Sequence, residues 1–230
     1  MDYLDLFAGI GGFALGAYWA GMRFENHYFS EVDDYAIKVY RKRFSDAIPL
    51  GDIIKIDTGK LPQGEWIITG GYPCQPFSTA SRGRKVTKDL WPEMLNIICK
   101  LKPRAVVGEN VSRDSIINAA RQMPNNYNCT IHRISAACLG ATHHRIRWWM
   151  VAYSHGNSKS FGSIHEKVES IQSLSRHDKW LFPPGIVGMD DGVSSRMDRL
   201  KCLGNAGVPQ IAEILFRRIK ELCDGRKSKV

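Results

Sequence analysis

The strongest constraint on the fold is a glycine cluster between an apolar segment and a helix-like one. Tyr3 to Phe7 is a short apolar run, Ala8 to Gly12 contains three glycines, and Phe13 to Trp19 has helical character up to a stop at Gly21. Glycine adopts the backbone conformations that a sharp turn from strand to helix requires. This order therefore predicts a strand, a tight turn and a helix, the opening unit of an α/β domain.

The same alternation of strands and helices continues along the chain. Arg23 to Ser30 predicts a second strand, and Asp33 or Asp34 is expected to cap a helix that runs to about Phe44. Later strands are predicted before Gly51-Asp52-Ile53, over Trp66 to Thr69 and Ala105 to Val107, and within Tyr127 to Ala152; later helices over Leu90 to Lys102, Asp114 to Gln122 and Val208 to Cys223. Alternating elements of this kind indicate a mostly parallel sheet flanked by helices.

Length and composition limit the organisation of the chain. At 230 residues there is room for one domain with a small appendage. The six cysteines lack the spacing of a zinc site or a C-x-x-C pair, which argues against a metal and indicates a reduced, cytoplasmic protein. Leu6 to Met22 is uncharged but glycine-rich and too short to span a bilayer, and a basic signal-peptide start is missing, so no membrane association is expected.

The charge distribution favours a polyanionic partner. The net charge is +9, and no acidic residue occurs between Asp114 and Glu166, where several arginines and histidines fall. Such a one-signed segment is typical of a nucleic-acid surface. A solvated face that happens to lack carboxylates is the alternative.

Two carboxylates and one cysteine are candidates for chemistry. Glu31 follows Gly9 by 22 residues, the distance at which an acidic residue in a βαβ unit binds ribose hydroxyls, although Gly9, Gly11 and Ala14 also fit a nicotinamide-binding pattern or a mere tight turn. Cys74 stands between two prolines after a predicted strand, and nearby cations favour its thiolate, whereas a buried structural cysteine is the alternative. Glu109 ends the next strand, where it could act as a general acid or cap a helix.

Three segments in this order resemble the C5-cytosine DNA methyltransferases: Asp5 to Phe13, Pro73-Cys74-Gln75 and Glu109-Asn110-Val111. The resemblance continues through His143 to Arg147, similar to a Gln-x-Arg-x-Arg segment with His143 in place of glutamine, and through Leu203 to Pro209. It implies a Rossmann-like S-adenosylmethionine-dependent methyltransferase fold. Residues 1–153 would form the catalytic and cofactor-binding core, 154–184 a reduced target-recognition segment, and 185–230 a segment that returns to the core.

The resemblance also implies a mechanism. A cytosine is flipped out of the DNA duplex, Cys74 adds to C6, Glu109 contacts N3, and C5 takes the methyl group of S-adenosylmethionine. Arg145 and Arg147 would hold the base and the thiolate loop, with Arg147 the structural brace. Pro73 and Asn110 would shape the pocket.

Further residues receive roles by the same resemblance. The cofactor is expected on the turn after the first strand, with Glu31 on the ribose; the full set is Phe7, Ala8, Gly9, Ile10, Gly11, Gly12, Glu31, Val32, Asp52, Ile53, Leu90, Asn205, Ala206 and Val208. The residues expected to contact DNA are Gln75, Ser78, Arg82, Arg84, Lys85, His143, Lys159 and Arg196.

The short recognition segment is similar to that of bacteriophage and prophage members and predicts a short or relaxed target sequence. We expect a cytoplasmic monomer in a bacterial cell or phage-infected host that acts on double-stranded DNA, and leave open a companion restriction endonuclease. The alternatives are a catalytically silent DNA-binding relic, an RNA cytosine-5 methyltransferase on the same scaffold, and a nicotinamide oxidoreductase.

Overall fold

A computed structural model describes residues 1–73, 89–141, 144–154 and 207–224. They form a seven-stranded sheet with helices on both faces. The strands are β1 (Asp2–Leu6), β2 (His27–Ser30), β3 (Ile48–Pro49), β4 (Trp66–Gly70), β5 (Ala105–Asn110), β6 (Tyr127–Ser135) and β7 (Ile146–Ser154). The helices are α1 (Gly12–Trp19), α2 (Asp34–Arg43), α3 (Trp91–Leu101), α4 (Arg113–Gln122) and α5 (Pro209–Asp224), with short 3₁₀ turns at Ile53–Lys55, Thr58–Lys60 and Ala136–Leu139.

The sheet is mostly parallel, as the sequence predicts. The strand order is β3-β2-β1-β4-β5-β7-β6. β1 to β5 pair in parallel, while β7 runs antiparallel to both β5 and β6. From β1 the chain moves outward to β2, and it returns to β4 on the other flank of β1. The carboxyl ends of β1 and β4 therefore border the crevice where α/β sheets bind ligands.

Side chains of alternate strand residues enter two separate cores. Tyr3 and Asp5 face the side covered by α1, α2 and α5, whereas Leu4 and Leu6 face α3 and α4. All residues of β1, β4 and β5 are buried, which explains why apolar residues occupy consecutive rather than alternate positions in these strands.

The second strand is shorter than predicted. β2 begins at His27, although the pattern from Arg23 suggested an earlier start. Asn26 donates its backbone and side-chain N–H groups to the Asp2 carboxylate at 3.1 and 2.9 Å, and the Glu25 N–H donates to the Met1 carbonyl. These contacts use the groups that a strand extended toward Arg23 would need for its ladder.

The segment predicted as strand-like over Tyr127 to Ala152 consists of two strands. β6 and β7 form an antiparallel pair, and the 3₁₀ turn Ala136–Leu139 followed by Gly140 connects them. Gly140 has a φ of 85°, a conformation that favours glycine. The remaining predicted helices and strands agree with the structure to within a few residues at their ends.

Among the described residues, no helix is long and apolar enough to cross a membrane. Within the same ranges, no cluster of three or more His, Cys, Asp or Glu side chains is placed to hold a metal ion.

α5 packs closely against α1 at a glycine. A Cβ on Gly16 would lie 2.5 Å from the Ala212 Cβ and 2.6 Å from the Pro209 carbonyl oxygen. Gly12 approaches the Gly207 carbonyl in the same way. The absence of side chains at these positions lets α5 bring the residues before it up to the turn between β1 and α1.

Gly16→Ala should therefore destabilise the protein. A methyl group would meet backbone atoms that cannot rotate away, and overpacking of this kind costs about 1 to 3 kcal/mol. Chemical denaturation gives the free energy of unfolding. Gly64→Ala is the control, because the nearest atom to its Cβ would be 4.0 Å away, and a loss of similar size in both variants would contradict the packing argument.

Candidate active site

The glycine turn after β1 adopts a left-handed backbone at three positions. Phe7, Gly9 and Gly11 have φ angles of 53°, 53° and 85°. A Cβ on Gly11 would lie 2.6 Å from the Phe44 ring, whereas no described atom lies within 4 Å of the position of a Cβ on Gly9. The turn is thus packed on its Gly11 side and open at Gly9.

Glu31 holds this turn to the end of β2. One carboxylate oxygen accepts the Gly9 N–H at 2.8 Å, and the other accepts the N–H groups of Val32 and Asp33 at 2.8 and 2.9 Å. The acidic residue that the spacing predicts near a ribose is therefore adjacent to the open side of the turn.

The next segment of predicted cofactor residues lies beside Glu31. The Ser30 hydroxyl donates to the Gly51 carbonyl at 2.7 Å, which brings Asp52 and Ile53 to the same edge of the sheet. Asp52 caps the following 3₁₀ turn by accepting the Ile54 N–H at 3.1 Å. Val32 and Ile54 are 68% and 55% exposed at this edge, although both side chains are apolar. Neighbouring exposed apolar side chains of this kind are typical of a ligand-binding surface.

Two other predicted cofactor residues lie in different surroundings. Val208 is buried in the same core as Phe13, and a Cβ on the preceding Gly207 would lie 3.7 Å from the Phe13 ring, so Val208 lies close to the start of α1. Leu90 precedes α3 and packs half-buried against the core on the opposite face of the sheet.

The end of β4 is fixed by contacts to β5 and α4. Asn110 donates from Nδ2 to the Tyr72 carbonyl at 3.0 Å and accepts the Ser112 N–H at 2.9 Å. The Tyr72 hydroxyl donates to the Ser115 carbonyl at 3.0 Å. These contacts set the position of the backbone at Pro73, directly before Cys74.

Glu109 lies within β5, at the position opposite Trp149 on β7, rather than after the strand. Its carboxylate approaches Gly71 so closely that a Cβ there would be 3.1 Å from Oε2. The Arg147 Nε lies 2.8 Å from Glu109 Oε1. The structure therefore brings together Gly71, directly after β4, Glu109 on β5 and Arg147 on β7, which are far apart in the sequence.

Burial governs the electrostatics of this cluster. Burial raises the pKa of Glu109 above its usual value, and the charges of Arg147 and Arg145 act in the opposite direction. Burial also lowers the pKa of Arg145, helped by the neighbouring Arg147. A carboxyl group in this setting takes up a proton more readily than an exposed one, as a general acid requires.

The sequence interpretation did not single out one buried carboxyl group. Asp5 is fully buried in β1 and accepts hydrogen bonds from the Thr69 hydroxyl at 2.8 Å and the Tyr40 hydroxyl at 3.1 Å. Burial raises its pKa from 3.8 to about 7. The available signal was a single acid within the apolar run Tyr3 to Phe7.

Several predicted site residues lie outside the described residues and stay predictions. They are Cys74, Asn205 and Ala206, and the expected DNA contacts Gln75, Ser78, Arg82, Arg84, Lys85, His143, Lys159 and Arg196.

Comparison with known proteins identifies relatives of the chain. A family model described as C-5 cytosine-specific DNA methylase matches residues 1–181. The type II methyltransferase M1.ScrFI of Lactococcus lactis subsp. cremoris is 42% identical over 113 residues, which cover 47% of this chain and 28% of that protein. The orphan methyltransferase M.Rho11sI of Bacillus phage rho11s is 30% identical over 234 residues, or 96% of this chain and 43% of the relative. The chain thus spans less than half the length of either relative.

Solved structures share the fold. A protein described as a prophage-encoded DNA modification methyltransferase of E. coli superposes with a TM-score of 0.55 at 24% identity, over 68% of this chain and 47% of that one. The Dnmt2 methyltransferase of S. pombe gives a TM-score of 0.57 at 18% identity, over 74% and 55% of the two chains. The predicted Rossmann-like methyltransferase fold is confirmed.

Arg147→Gln should destabilise the protein by about 3 kcal/mol, because it leaves the Glu109 carboxylate buried without its cation. Loss of that charge raises the pKa of Glu109 further, so the penalty should grow as the pH rises. Denaturation at about pH 5 and about pH 8 measures both effects.

The control is Arg218→Gln, which breaks the Arg218–Glu221 pair on α5, where the Glu221 side chain is 52% exposed. That change should cost less than about 1 kcal/mol. If both variants lost the same free energy of unfolding, the buried Glu109–Arg147 pair would contribute no more to stability than an exposed ion pair.

Proposed function

Because the chain belongs to the C-5 cytosine-specific DNA methylase family, we propose that it transfers a methyl group from S-adenosylmethionine to C5 of cytosine in double-stranded DNA. The observation that carries this proposal is the buried Glu109 carboxyl, held by Arg147 against Gly71, two residues before Pro73 and the predicted nucleophile Cys74.

The residues at the carboxyl ends of β1 and β2 fit S-adenosylmethionine, the methyl donor of this family. The open backbone at Gly9 leaves space beside the Glu31 carboxylate, which can accept hydrogen bonds from ribose hydroxyls. Val32 and Ile54 offer exposed apolar surface for an adenine ring, and Asp52 offers a carboxylate for its amino group. When bound, the cofactor supplies an electrophilic methyl group on a sulfonium.

Glu109 has the properties needed on the base side of the site. C5 and C6 of cytosine are inaccessible within the duplex, so the base must be flipped out. When the Cys74 thiolate forms a bond to C6, negative charge develops toward N3, and the proton of Glu109 offsets that charge. C5 then takes the methyl group, the C5 proton leaves to a base, and elimination of Cys74 restores the free thiolate.

The surface near this cluster is suited to a polyanion. Asn110, Trp148 and Arg133 lie opposite one another across β5, β7 and β6, and the Arg113 guanidinium lies 5.7 Å from the centre of the Trp148 ring. Arg113 and Arg133 are exposed. Trp148 packs on the face of the sheet opposite Glu109, and cations beside an aromatic ring there suit a phosphate backbone and an unstacked base.

The broader predictions remain part of this proposal. They are a monomer acting in the cytoplasm, a recognition segment at 154–184, a returning segment at 185–230, and a companion restriction endonuclease left open.

Cys74→Ser should abolish methyl transfer while cofactor affinity stays nearly unchanged, because a serine hydroxyl is a far weaker nucleophile than a thiolate. Transfer of tritiated methyl from S-adenosylmethionine to unmethylated duplex DNA measures the activity. Cys99 is an exposed cysteine on α3, so Cys99→Ser is the matched control and should keep the wild-type rate. Label in transfer RNA instead of DNA, or full activity of Cys74→Ser, would refute the proposal.

Glu31→Ala should weaken S-adenosylmethionine binding by about 1 to 3 kcal/mol, since a charged hydrogen-bond acceptor is lost. Isothermal titration calorimetry measures the affinity directly. Glu25→Ala removes an exposed carboxylate just before β2 and should leave the affinity as it is. Unchanged binding by Glu31→Ala would argue against a cofactor at this edge of the sheet.

A further inference from the structure

Two arginines and a tryptophan form a basic surface on the α4 side of the sheet, at the carboxyl end of β5. The Arg113 guanidinium lies over the Trp148 ring, 5.7 Å from its centre. Trp148 on β7 pairs with Asn110 of β5 on one side and with Arg133 of β6 on the other. Because directly paired residues of neighbouring strands point to the same face, Arg133 shares this face with Trp148. Both arginines therefore lie next to one indole.

No described carboxylate neutralises this surface. The β6–β7 unit contains no aspartate or glutamate from Tyr127 to Ser154. Both Arg113 and Arg133 are exposed, and within the described parts of the chain neither forms an ion pair, not even Arg113 with the adjacent Asp114. Two uncompensated positive charges are thus available to an anion.

The stability of the fold does not account for these charges. Arg113 is the first residue of α4, where a cation opposes the helix dipole, so its charge does not stabilise its own helix. Arg133 lies on β6, the outer strand of the described sheet, and points away from the face that holds the Glu109–Arg147 pair. Unpaired guanidinium groups of this kind suit the oxygens of a phosphate group.

Trp148 holds one of the two cations in place. The indole is half-buried and packs against the core on the α4 side of the sheet. A guanidinium over a tryptophan ring is attracted by the π electrons, which restricts an otherwise flexible side chain. Arg113 is thus ordered in advance for a planar contact with two phosphate oxygens.

The surface is also joined to the end of β4. Asn110, next to Trp148, donates to the Tyr72 carbonyl at 3.0 Å and accepts the Ser112 N–H at 2.9 Å. Ser112 directly precedes Arg113 and caps α4 with its hydroxyl. An anion held by Arg113 therefore has a defined position relative to the backbone that leads to the predicted nucleophile.

We propose that Arg113 and Arg133 bind the phosphate backbone of DNA outside the base pocket, and that Trp148 orients Arg113 for this contact. The surface lies on the face of the sheet opposite Glu109, so it serves the DNA next to the flipped nucleotide rather than the base itself. Phosphates carry no sequence information, so these contacts position the duplex without selecting a target sequence. This inference rests on the proposed function, because DNA is taken as the ligand.

The test is the affinity for a random-sequence unmethylated duplex, measured by fluorescence anisotropy over a range of salt concentrations with S-adenosylhomocysteine present. Each phosphate contact contributes about 0.9 to the slope of log affinity against log salt. Arg113→Gln and Arg133→Gln should each lower this slope by about 1, and the double variant by about 2. Arg121→Gln is the matched control, because it removes an exposed arginine from the same helix about 12 Å away, and it should keep the wild-type slope.

Two further variants test Trp148 without removing a charge. Arg113→Lys and Trp148→Leu should each weaken binding about threefold, since both abolish the contact between guanidinium and indole. Because Trp148 acts through Arg113, adding Trp148→Leu to Arg113→Gln should weaken binding no further. Additive losses would overturn the role of Trp148. A slope that falls as much in Arg121→Gln as in Arg113→Gln would overturn the surface, because net charge alone would then explain the effect.

Steady-state kinetics separate this inference from the proposed function. Phosphate contacts hold the substrate and the transition state alike, so in Arg113→Gln and Arg133→Gln the KM for plasmid DNA should rise roughly tenfold while kcat changes less than about twofold. Methyl transfer with an unchanged KM and an unchanged salt slope in both variants would overturn the inference and leave the function standing. A slope change with transfer RNA but not with duplex DNA would overturn it as well. If the slopes change as expected but the wild type transfers no methyl group, the function fails while the phosphate surface stands.

Discussion

The site depends on holding the turn between β1 and α1 in a backbone conformation that most residues avoid. Phe7 has a φ of 53°, and a non-glycine residue in this region costs about 1 to 3 kcal/mol. Glu31 secures the Gly9 amide, Arg43 contacts the Ile10 carbonyl, and Gly12 lies against the Gly207 carbonyl. The turn is therefore fixed from β2, α2 and the segment before α5, and its strain is offset by contacts from three distant parts of the chain.

Two carboxyl groups on one face of the sheet are buried with opposite kinds of partner. Glu109 is paired with the cation of Arg147, whereas Asp5 receives only neutral donors. Because the folded pKa of Asp5 lies above its unfolded value, its contribution to stability is complete at low pH and is lost as the pH rises through about 7.

The features that were predicted correctly from the sequence are those set by residues close together in the chain. The glycine turn, the Asp33 cap of α2 and the place of Glu31 follow from residues within a few positions or one βαβ unit. The start of β2, the approach of Glu109 to Gly71 and the hydrogen bonds of Asp5 could not be predicted in the same way. They depend on partners brought together by the sheet, such as Thr69 and Tyr40, which lie 64 and 35 residues from Asp5.

β4 links the two halves of the proposed chemistry. Thr69 donates to the Asp5 carboxyl on the flank of β1, and Gly71, directly after β4, makes room for Glu109 on the flank of β5. β4 lies between β1, which carries Asp5, and β5, which carries Glu109, and it is buried along its whole length. In such a closely packed position, a shift of its end toward one of these carboxyl groups would move it away from the other. The spacing between cofactor turn and base pocket is therefore set by a single strand, and the Pro73-Cys74 segment continues directly from it.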